Sequence, residues 1–237
     1  MTTDVVAQQI EAFSREKAAH TAQMLKLNEI NSSITRCEKE RNDAIESGKE
    51  AESNWRTRFR SLRGAITPEM RAEHSQRIAS KELADEFTAL IEELELEKQG
   101  QMTNAVSTAR QYVHAHRSAF TAYAESQWDS AMRNISPKLL RGIKLKLMAM
   151  QLSDSGQQTA AFHEEPEVIL GRQVGELLTR AADKATLDME GEPVLTKIGL
   201  RRPALTGVDM HLYNSPVAVH KLLHQLKAKR AQRENKQ

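Results

Sequence analysis

The sequence is poor in the two residues that most often interrupt helices. No proline occurs between Thr3 and Leu62, and Gly48 is the single glycine there. The stretch from Glu69 to Ile135 also has no proline and one glycine, Gly100. Because proline and glycine cost the most in a helix interior, these stretches predict two very long helices. Such helices are typical of partner-binding or structural proteins rather than of small-molecule enzymes.

Aromatic residues and cysteine are also scarce. Aromatic residues make up 4% of the chain and charged residues 28%, which favours long helices with narrow apolar seams over a thick globular core. The single cysteine, Cys37, excludes an intrachain disulfide and a multi-cysteine metal site, and fits a reducing cytoplasm. Since no basic leader precedes an apolar run, and no apolar stretch is long enough to span a bilayer, we expect no signal peptide and no membrane association.

The two long segments carry apolar residues at the alternating spacing of a coiled coil. A short connection between them contains Gly64, which suits the C′ position of the first helix, and Thr67 and Pro68, which suit the cap and first turn of the second. The sequence predicts antiparallel neighbours, with a possible kink at Gly48. Two helices of this length bury little surface alone, so we expect a homodimer. The predicted seam residues are Trp55, Phe59, Leu62, Leu83, Phe87, Leu90 and Leu94.

The predicted fold class is all-α, with a long antiparallel coiled-coil arm at residues 1–135 and a helical base at residues 136–237. Proline-initiated helices are expected at Pro137 to about Gln151, Pro166 to about Leu187 and Pro216 to about Arg233. Residues 153–158 read as a polar linker. Residues 188–214 read as irregular, and although residues 194–198 have strand character, a lone strand is disfavoured. The first of the short helices has an apolar face and a basic flank without acidic residues: Lys138, Arg141, Lys144 and Lys146.

Motifs for catalysis or cofactor binding are missing. No GxGxxG, P-loop or GxSxG motif occurs in the sequence. His220 and His224 share a helix face, but the HExxH glutamate and a third ligand are missing, and His114 and His116 face different directions. We therefore expect no enzymatic activity, no catalytic residues, no cofactor and no metal.

The C-terminal segment is basic. Its cations include Lys221, Lys227, Lys229, Arg230 and Arg233, against one acid, Glu234. They suit either the C-terminal end of a helix, where the dipole favours positive charge, or docking to an acidic partner, and both interpretations stay open. No aromatic residues that could stack on bases lie between these basic residues, so we do not expect direct nucleic-acid binding.

Three segments resemble a known family. They are residues 109–116 (ARQYVHAH), residues 136–140 (SPKLL) and residues 194–201 (VLTKIGLR), and they occur in the same order as in the phage polarity suppression family, Psu. The C-terminal 130 residues or so resemble that family in motif, and the arm resembles it in architecture. The arm here is longer, and Leu200-Arg201-Arg202-Pro203 replaces a more compact aromatic-Arg-Pro stretch.

The resemblance implies an all-helical, intertwined homodimer from a satellite phage. It implies two partners: the capsid protein, which it decorates, and the hexameric host transcription termination factor Rho, which it inhibits. The corresponding locations are the host bacterial cytoplasm and the virion. On this resemblance, the basic C-terminal residues become candidate contacts for Rho or capsid. A capsid decoration protein without effect on transcription, or a coiled-coil scaffold, remains the alternative.

Overall fold

The computed structural model describes residues 2–154 and 164–234, and in them the regular structure is helical throughout. The all-α prediction is thereby confirmed for the described residues. In chain order the helices are α1 (Thr2–Ser61), α2 (Pro68–Arg133), α3 (Pro137–Asp154), α4 (Pro166–Lys184), α5 (Pro193–Ile198), α6 (Met210–Asn214) and α7 (Pro216–Glu234).

The two long helices match the two segments that lack proline. The first helix has 60 residues and the second 66, and neither stops at its internal glycine. The kink considered at Gly48 is not a helix break: α1 continues through this residue, and a Cβ built on Gly48 would lie 3.4 Å from Cβ of Ser80. The small residue therefore lets α1 approach α2 closely.

The connection between α1 and α2 follows the predicted chemistry with a shift of one residue. The Gly64 N–H donates to the Phe59 carbonyl at 3.0 Å and the Arg63 N–H to the Arg60 carbonyl at 3.2 Å, which is the Schellman pattern. This pattern places Arg63, with φ 49°, at C′ and Gly64, with φ 88°, one position later. Thr67 caps α2 as predicted, because its Oγ1 accepts from the Met70 N–H at 3.4 Å.

The chain divides into two compact units. The first unit comprises Met1–Ala12 and His116–Arg202, and the second comprises Phe13–Ala115 and Pro203–Gln237. The arm and base at residues 1–135 and 136–237 stay a prediction. Within the second unit α1 and α2 run antiparallel, since His20 contacts Thr108 at one end and Arg58 contacts Glu73 at the other.

Buried positions of α1 in the second unit are three or four residues apart from Leu27 to Cys37 and seven residues apart from there to Ala51. This spacing is expected for a helix that keeps one narrow stripe against a neighbour. Small side chains occupy much of the stripe, so the backbones come close together. Its members are Leu27, Ile30, Ile34, Cys37, Ala44 and Ala51, all buried.

The segment at residues 188–214 contains two short helices rather than only irregular backbone. Residues 194–198, whose sequence has strand character, belong to helix α5. Pro193 starts this helix, and the Thr196 hydroxyl donates to the Glu192 carbonyl. The polar groups of the segment are therefore hydrogen-bonded locally and need no partner strand. The predicted linker at residues 153–158 lies mostly outside the described residues, and α3 extends to Asp154.

Candidate partner-binding surfaces

Helix α7 is fixed to the second unit through one apolar face. The Ser215 hydroxyl caps it by accepting from the Ala218 N–H at 3.2 Å. Leu226 is buried, and Val219 and Leu222 pack against a core formed by α2 and the segment before α7. The buried members of that core are Val106, Ala109, Val208 and Leu212.

Four of the five predicted basic contact residues are exposed on α7. They are Lys221, Lys227, Lys229 and Arg230. Arg233 differs, because its Nη2 lies 3.3 Å from the Glu92 carboxylate and its Nη1 lies 3.8 Å from that of Glu93. The Glu92–Glu93 pair, which in the sequence looks like ordinary surface charge, thus joins α2 to the end of α7. Arg233 is engaged within its own chain, whereas the other four cations are available to a partner.

The segment before α7 is held by a fork of hydrogen bonds from α2. Arg110 Nε and Nη2 donate to the Tyr213 carbonyl at 3.1 and 2.6 Å, and Nη2 also donates to the Leu212 carbonyl at 3.1 Å. The guanidinium also lies 5.7 Å from the Tyr213 ring centroid. Asp209 caps α6 by accepting from the N–H groups of His211 and Leu212. These contacts set the position at which α7 begins.

The predicted seam residues differ in their exposure within the second unit. Trp55, Phe87 and Leu94 are half-buried, and the Trp55 ring lies 5.8 Å from the Arg77 guanidinium. The remaining members are exposed in the single chain: Phe59, Leu62, Leu83 and Leu90. An apolar stripe that its own chain leaves open suits a second copy, so their assignment as dimer seam stays a prediction.

A groove of about 650 Å³ adjoins this stripe on α1 and α2. Its small residues, Ala44, Gly48 and Ala84, alternate with exposed isoleucines at positions 45 and 78. The surrounding charges are of both signs: Lys49, Glu52, Arg77, Lys81, Glu82 and Asp85. A wall with mixed charges does not select a strongly acidic or basic ligand.

Single residues of two of the three segments that carry the family resemblance contact each other in the first unit. His116, at the end of ARQYVHAH, is buried, and its Nε2 lies 3.1 Å from the carbonyl of Gly199 in VLTKIGLR. Gly199 has φ 82°, which suits glycine, and Leu195 and Ile198 are buried. The His116 ring also stacks on Phe120, with centroids 6.3 Å apart. These motif residues therefore stabilise the turn after α5.

Histidine side chains do not assemble a metal site in the described residues. His220 and His224 are exposed on α7, and His114 is exposed on α2. Over residues 2–154 and 164–234, no three His, Cys, Asp or Glu side chains are grouped so that they could hold a metal ion. A search of the same residues finds no helix that meets the length and hydropathy needed to cross a membrane. The expectation of no enzymatic activity stays a prediction.

The fold and these surfaces place the chain in the class of helical proteins built on a pair of very long antiparallel helices. Comparison with known proteins makes the assignment specific. A profile of the family described as phage polarity suppression protein (Psu) matches residues 41–231, and the chain belongs to this family. The resemblance seen in the sequence is thereby confirmed.

One relative and one solved structure extend the comparison. Glycoprotein 3 of Enterobacteria phage P4 is 26% identical over 204 residues, which cover 86% of this chain and 84% of that protein. A chain in the structure titled "Satellite phage P4 procapsid including size determination (Sid) protein" is 26% identical, with a TM-score of 0.80 over 95% of this chain and 96% of the other. The fold is thus shared along nearly the whole length of both chains.

Proposed function

We propose that this protein is a phage capsid-associated protein that also inhibits the host transcription termination factor Rho. The observation that carries the proposal is membership of the polarity suppression family over residues 41–231. Relief of transcriptional polarity is the effect that the family name describes, and blocking Rho-dependent termination produces it. The protein acts by binding, with no catalytic residues and no cofactor, in the host cytoplasm and on the virion.

The capsid role draws support from a second observation. The matched structure is a satellite phage procapsid, and the match covers 95% of this chain. A homodimer with two copies of the same surface can contact two capsid subunits at once, and such bivalent binding raises avidity without a strong single site. Capsid decoration without any effect on transcription is therefore the alternative function.

The exposed cations of α7 are the proposed contact surface for Rho or capsid. Helix α7 is capped at Ser215 and packed through its apolar face, so its backbone is held in place. The side chains that it exposes to solvent are those of Lys221, Lys227, Lys229 and Arg230. Positive charges in such an arrangement increase association rates with an acidic surface and give strong salt dependence. Arg233 contributes indirectly, because its ion pairs with Glu92 and Glu93 hold the end of α7 on α2.

The homodimer is proposed to include the exposed apolar stripe of the long helices. Leu83 is 50% exposed and Leu90 41% exposed, one heptad apart on α2. A Leu83→Glu, Leu90→Glu variant should weaken self-association, since it places charge in the seam. Lys26→Glu, at an exposed position of α1, is the control for added negative charge. Analytical ultracentrifugation gives the association constants of all three proteins.

The deciding experiment is Rho-dependent termination in a purified transcription system that uses Rho from the matched host. The protein should restore read-through and lower the ATPase rate of Rho. A Lys221→Glu, Lys227→Glu, Arg230→Glu variant should inhibit at least tenfold less, whereas a variant with Lys26 and Lys39 changed to Glu should retain inhibition. Full termination in the presence of the wild-type protein would remove the Rho role.

A separate measurement tests the capsid role. The protein is mixed with purified capsids of its phage and sedimented, and the bound fraction is measured at about 0.15 M and at about 0.5 M salt, a roughly threefold increase in ionic strength. Co-sedimentation that the α7 charge variant loses assigns this surface to the capsid. If the wild-type protein stays in the supernatant at every salt concentration, the capsid role is refuted.

A further inference from the structure

The connected ends of α1 and α2 form a basic tip in the second unit. This hairpin tip, residues 55–77, contains six arginines and no lysine, against two glutamates. Its surplus of positive charge is larger than the net +2 of the whole chain, so the remaining residues are acidic on balance. A concentration of positive charge attracts a polyanion to this end of the helix pair. The arginines are Arg56, Arg58, Arg60, Arg63, Arg71 and Arg77.

Half of these arginines are paired with carboxylates of their own chain. Arg58 Nε lies 3.2 Å from the Glu73 carboxylate. The Glu52 carboxylate is shared, at 2.5 Å from Arg56 Nη2 and 3.9 Å from Arg77 Nη1. The other three arginines are exposed and form no ion pair with any residue that the structure describes: Arg60, Arg63 and Arg71. Their guanidinium groups are available to an anion from outside.

An aromatic ring lies among the arginines. Phe59 is 38% exposed, and its ring stacks on that of Trp55 with the centroids 5.2 Å apart. The Arg77 guanidinium lies 5.8 Å from the centroid of the Trp55 ring, so Trp55 is itself held in place. Phe59 is therefore a supported ring that remains partly open to solvent, and a flat ligand can stack on it at little cost in side-chain entropy.

The helical spacing places two of the exposed or partly paired cations beside this ring. Arg56 precedes Phe59 by three residues and Arg63 follows it by four, which puts both on the Phe59 side of α1. A Cβ built on Gly64 would lie 3.8 Å from Cζ of Phe59, so the backbone next to Arg63 passes close to the ring. Arg60 is the next residue after Phe59 and lies three and four residues from the other two. The tip thus combines one open aromatic ring with adjacent guanidinium groups.

We propose that the hairpin tip binds single-stranded RNA. In this complex a base stacks on the Phe59 ring, and the guanidinium groups of Arg60 and Arg63 bind the flanking phosphates. A planar guanidinium donates two parallel hydrogen bonds to a phosphate and also stacks on bases, which an ammonium group cannot do. The choice of RNA over DNA rests on the proposed antitermination function, in which the transcript is the nucleic acid concerned.

A single strand suits the tip better than a duplex. Two packed helices, each about 10 Å in diameter, are about 20 Å wide together, whereas the major groove of a DNA duplex is about 12 Å wide. Bases that stack on an aromatic side chain must also be unpaired and unstacked. A loop or a single strand offers such bases, so the ligand is single-stranded.

The tip differs in composition from the basic C-terminal segment. The expectation against nucleic-acid binding concerns that segment, whose cations are mostly lysines and have no aromatic residue between them. At residues 55–63 (WRTRFRSLR) arginine alternates with aromatic residues, the combination that single-stranded nucleic acids require. This inference gives Phe59 a role other than the dimer seam, for which the proposed contacts are Leu83 and Leu90.

Direct titration of the full chain with RNA tests the proposal. The probe is a fluorescently labelled oligouridine of about 12 nucleotides, within the roughly 4–16 nucleotides that one single-strand-binding fold covers. Fluorescence anisotropy gives the dissociation constant. With three phosphate contacts, a threefold increase in salt concentration should weaken binding about tenfold, because bound cations are released from the RNA.

Matched variants locate the binding surface. Arg60→Gln, Arg63→Gln should raise the dissociation constant at least tenfold and flatten its salt dependence. The control, Arg36→Gln, Lys39→Gln, removes two exposed cations from α1 outside the tip and should bind like the wild type. Phe59→Leu should weaken binding at least fivefold because stacking is lost, and Phe59→Trp should bind like the wild type. Far-UV circular dichroism checks that all variants have equal helix content.

Tryptophan fluorescence gives an independent measurement at the tip. The chain has two tryptophans, so Trp128→Phe leaves Trp55 alone. Since Trp55 stacks on Phe59, a base that binds there should quench the Trp55 emission, with the same midpoint as the anisotropy titration. Saturation of the RNA signal without any change in Trp55 emission would place the RNA elsewhere and overturn the proposal.

The outcomes separate this inference from the proposed function. The α7 charge variant should lose Rho inhibition and keep its RNA affinity. If oligouridine does not bind at about 0.05 M salt, or if the tip variant binds as well as its control, the inference fails, whatever the effect on Rho. If RNA binds at the tip but Rho is not inhibited, the proposed function fails and the RNA site stands. Polyglutamate that binds as tightly as the RNA would assign the tip to an acidic protein, and tighter binding of the same sequence as DNA would overturn the choice of RNA.

Discussion

Replacement of Arg110 by alanine should detach the α6–α7 segment from α2 in the second unit. The Arg110 guanidinium donates to two backbone carbonyls, those of Leu212 and Tyr213, and lies beside the Tyr213 ring. Hydrogen bonds from charged groups contribute about 1.5–3 kcal/mol each, and a partly exposed cation–π contact adds about 0.5–1 kcal/mol. Because the side chain is half-buried and the freed carbonyls regain some water, we expect a loss of about 2–4 kcal/mol in the free energy of unfolding.

Two further variants make the measurement specific. Arg110→Lys keeps the charge but cannot place two donors on two carbonyls, so it should lose about half as much stability. Arg117→Ala removes an exposed arginine from the same helix and should change stability by less than about 0.5 kcal/mol. Urea unfolding gives the free energies, and hydrogen exchange of the α7 amides shows whether the loss is local.

Two results would contradict this role of Arg110. If Arg110→Ala and Arg117→Ala unfold at the same urea concentration, the fork contributes no net stability. If Arg110→Ala is destabilised but the α7 amides keep their protection from exchange, the side chain does not anchor this segment. Either result would also remove the argument that the cations of α7 are presented by a fixed helix.

Two backbone positions give further predictions, each checked by urea unfolding. Gly207→Ala should cost about 1–2 kcal/mol, because φ is 82° and the added Cβ would lie 2.9 Å from Cε of Met24; an unchanged midpoint would show that the turn relaxes freely. Arg63→Gly should stabilise the protein by about 0.5–1 kcal/mol, because it relieves the positive φ of 49° at the end of α1; a loss of stability would contradict the assigned C′ position.

The helices could be predicted from the sequence because their signals are local. Proline at the start of α2, α3, α4 and α7 fits the first helical turn, and the long stretches, with no proline and a single glycine each, offer few other places to stop. The contacts that join α7 to α2 could not be predicted in the same way. Arg233 and Glu92 are 141 positions apart, and no periodicity relates them.

The buried residues of α1 could not be predicted from the sequence for a different physical reason. The large residues Phe59, Leu83 and Leu90 dominate the apolar pattern, yet each is exposed in the single chain. The residues that α1 buries include Ala44 and Ala51, whose small side chains give a weak hydrophobic signal although they allow close helix packing. A pattern of large apolar residues therefore does not by itself identify the positions that the chain buries.

His20 gives the second unit a dependence on pH. Its side chain is buried, its Nδ1 lies 3.1 Å from Thr108 Oγ1, and its ring stacks on Tyr112 at 5.7 Å. The Thr108 hydroxyl donates to the Ala105 carbonyl, so Oγ1 accepts from Nδ1–H of the neutral imidazole. Burial lowers the pKa of His20 below its ordinary value of 6.5 and raises the pKa of Tyr112.

The sign of the effect follows from proton linkage. Because the folded pKa of His20 is the lower one, the unfolded chain binds the proton more readily. The stabilising contribution is complete above about pH 6.5 and is lost as the pH falls from there through the folded pKa, with a slope of at most about 1.4 kcal/mol per pH unit. Urea unfolding at pH 7.5, 6.5 and 5.5 should therefore show a steeper loss for the wild-type protein than for His20→Phe, which keeps an aromatic ring beside Tyr112. Because the two proteins differ only at position 20, the difference between their curves isolates His20, and parallel curves would refute the assignment.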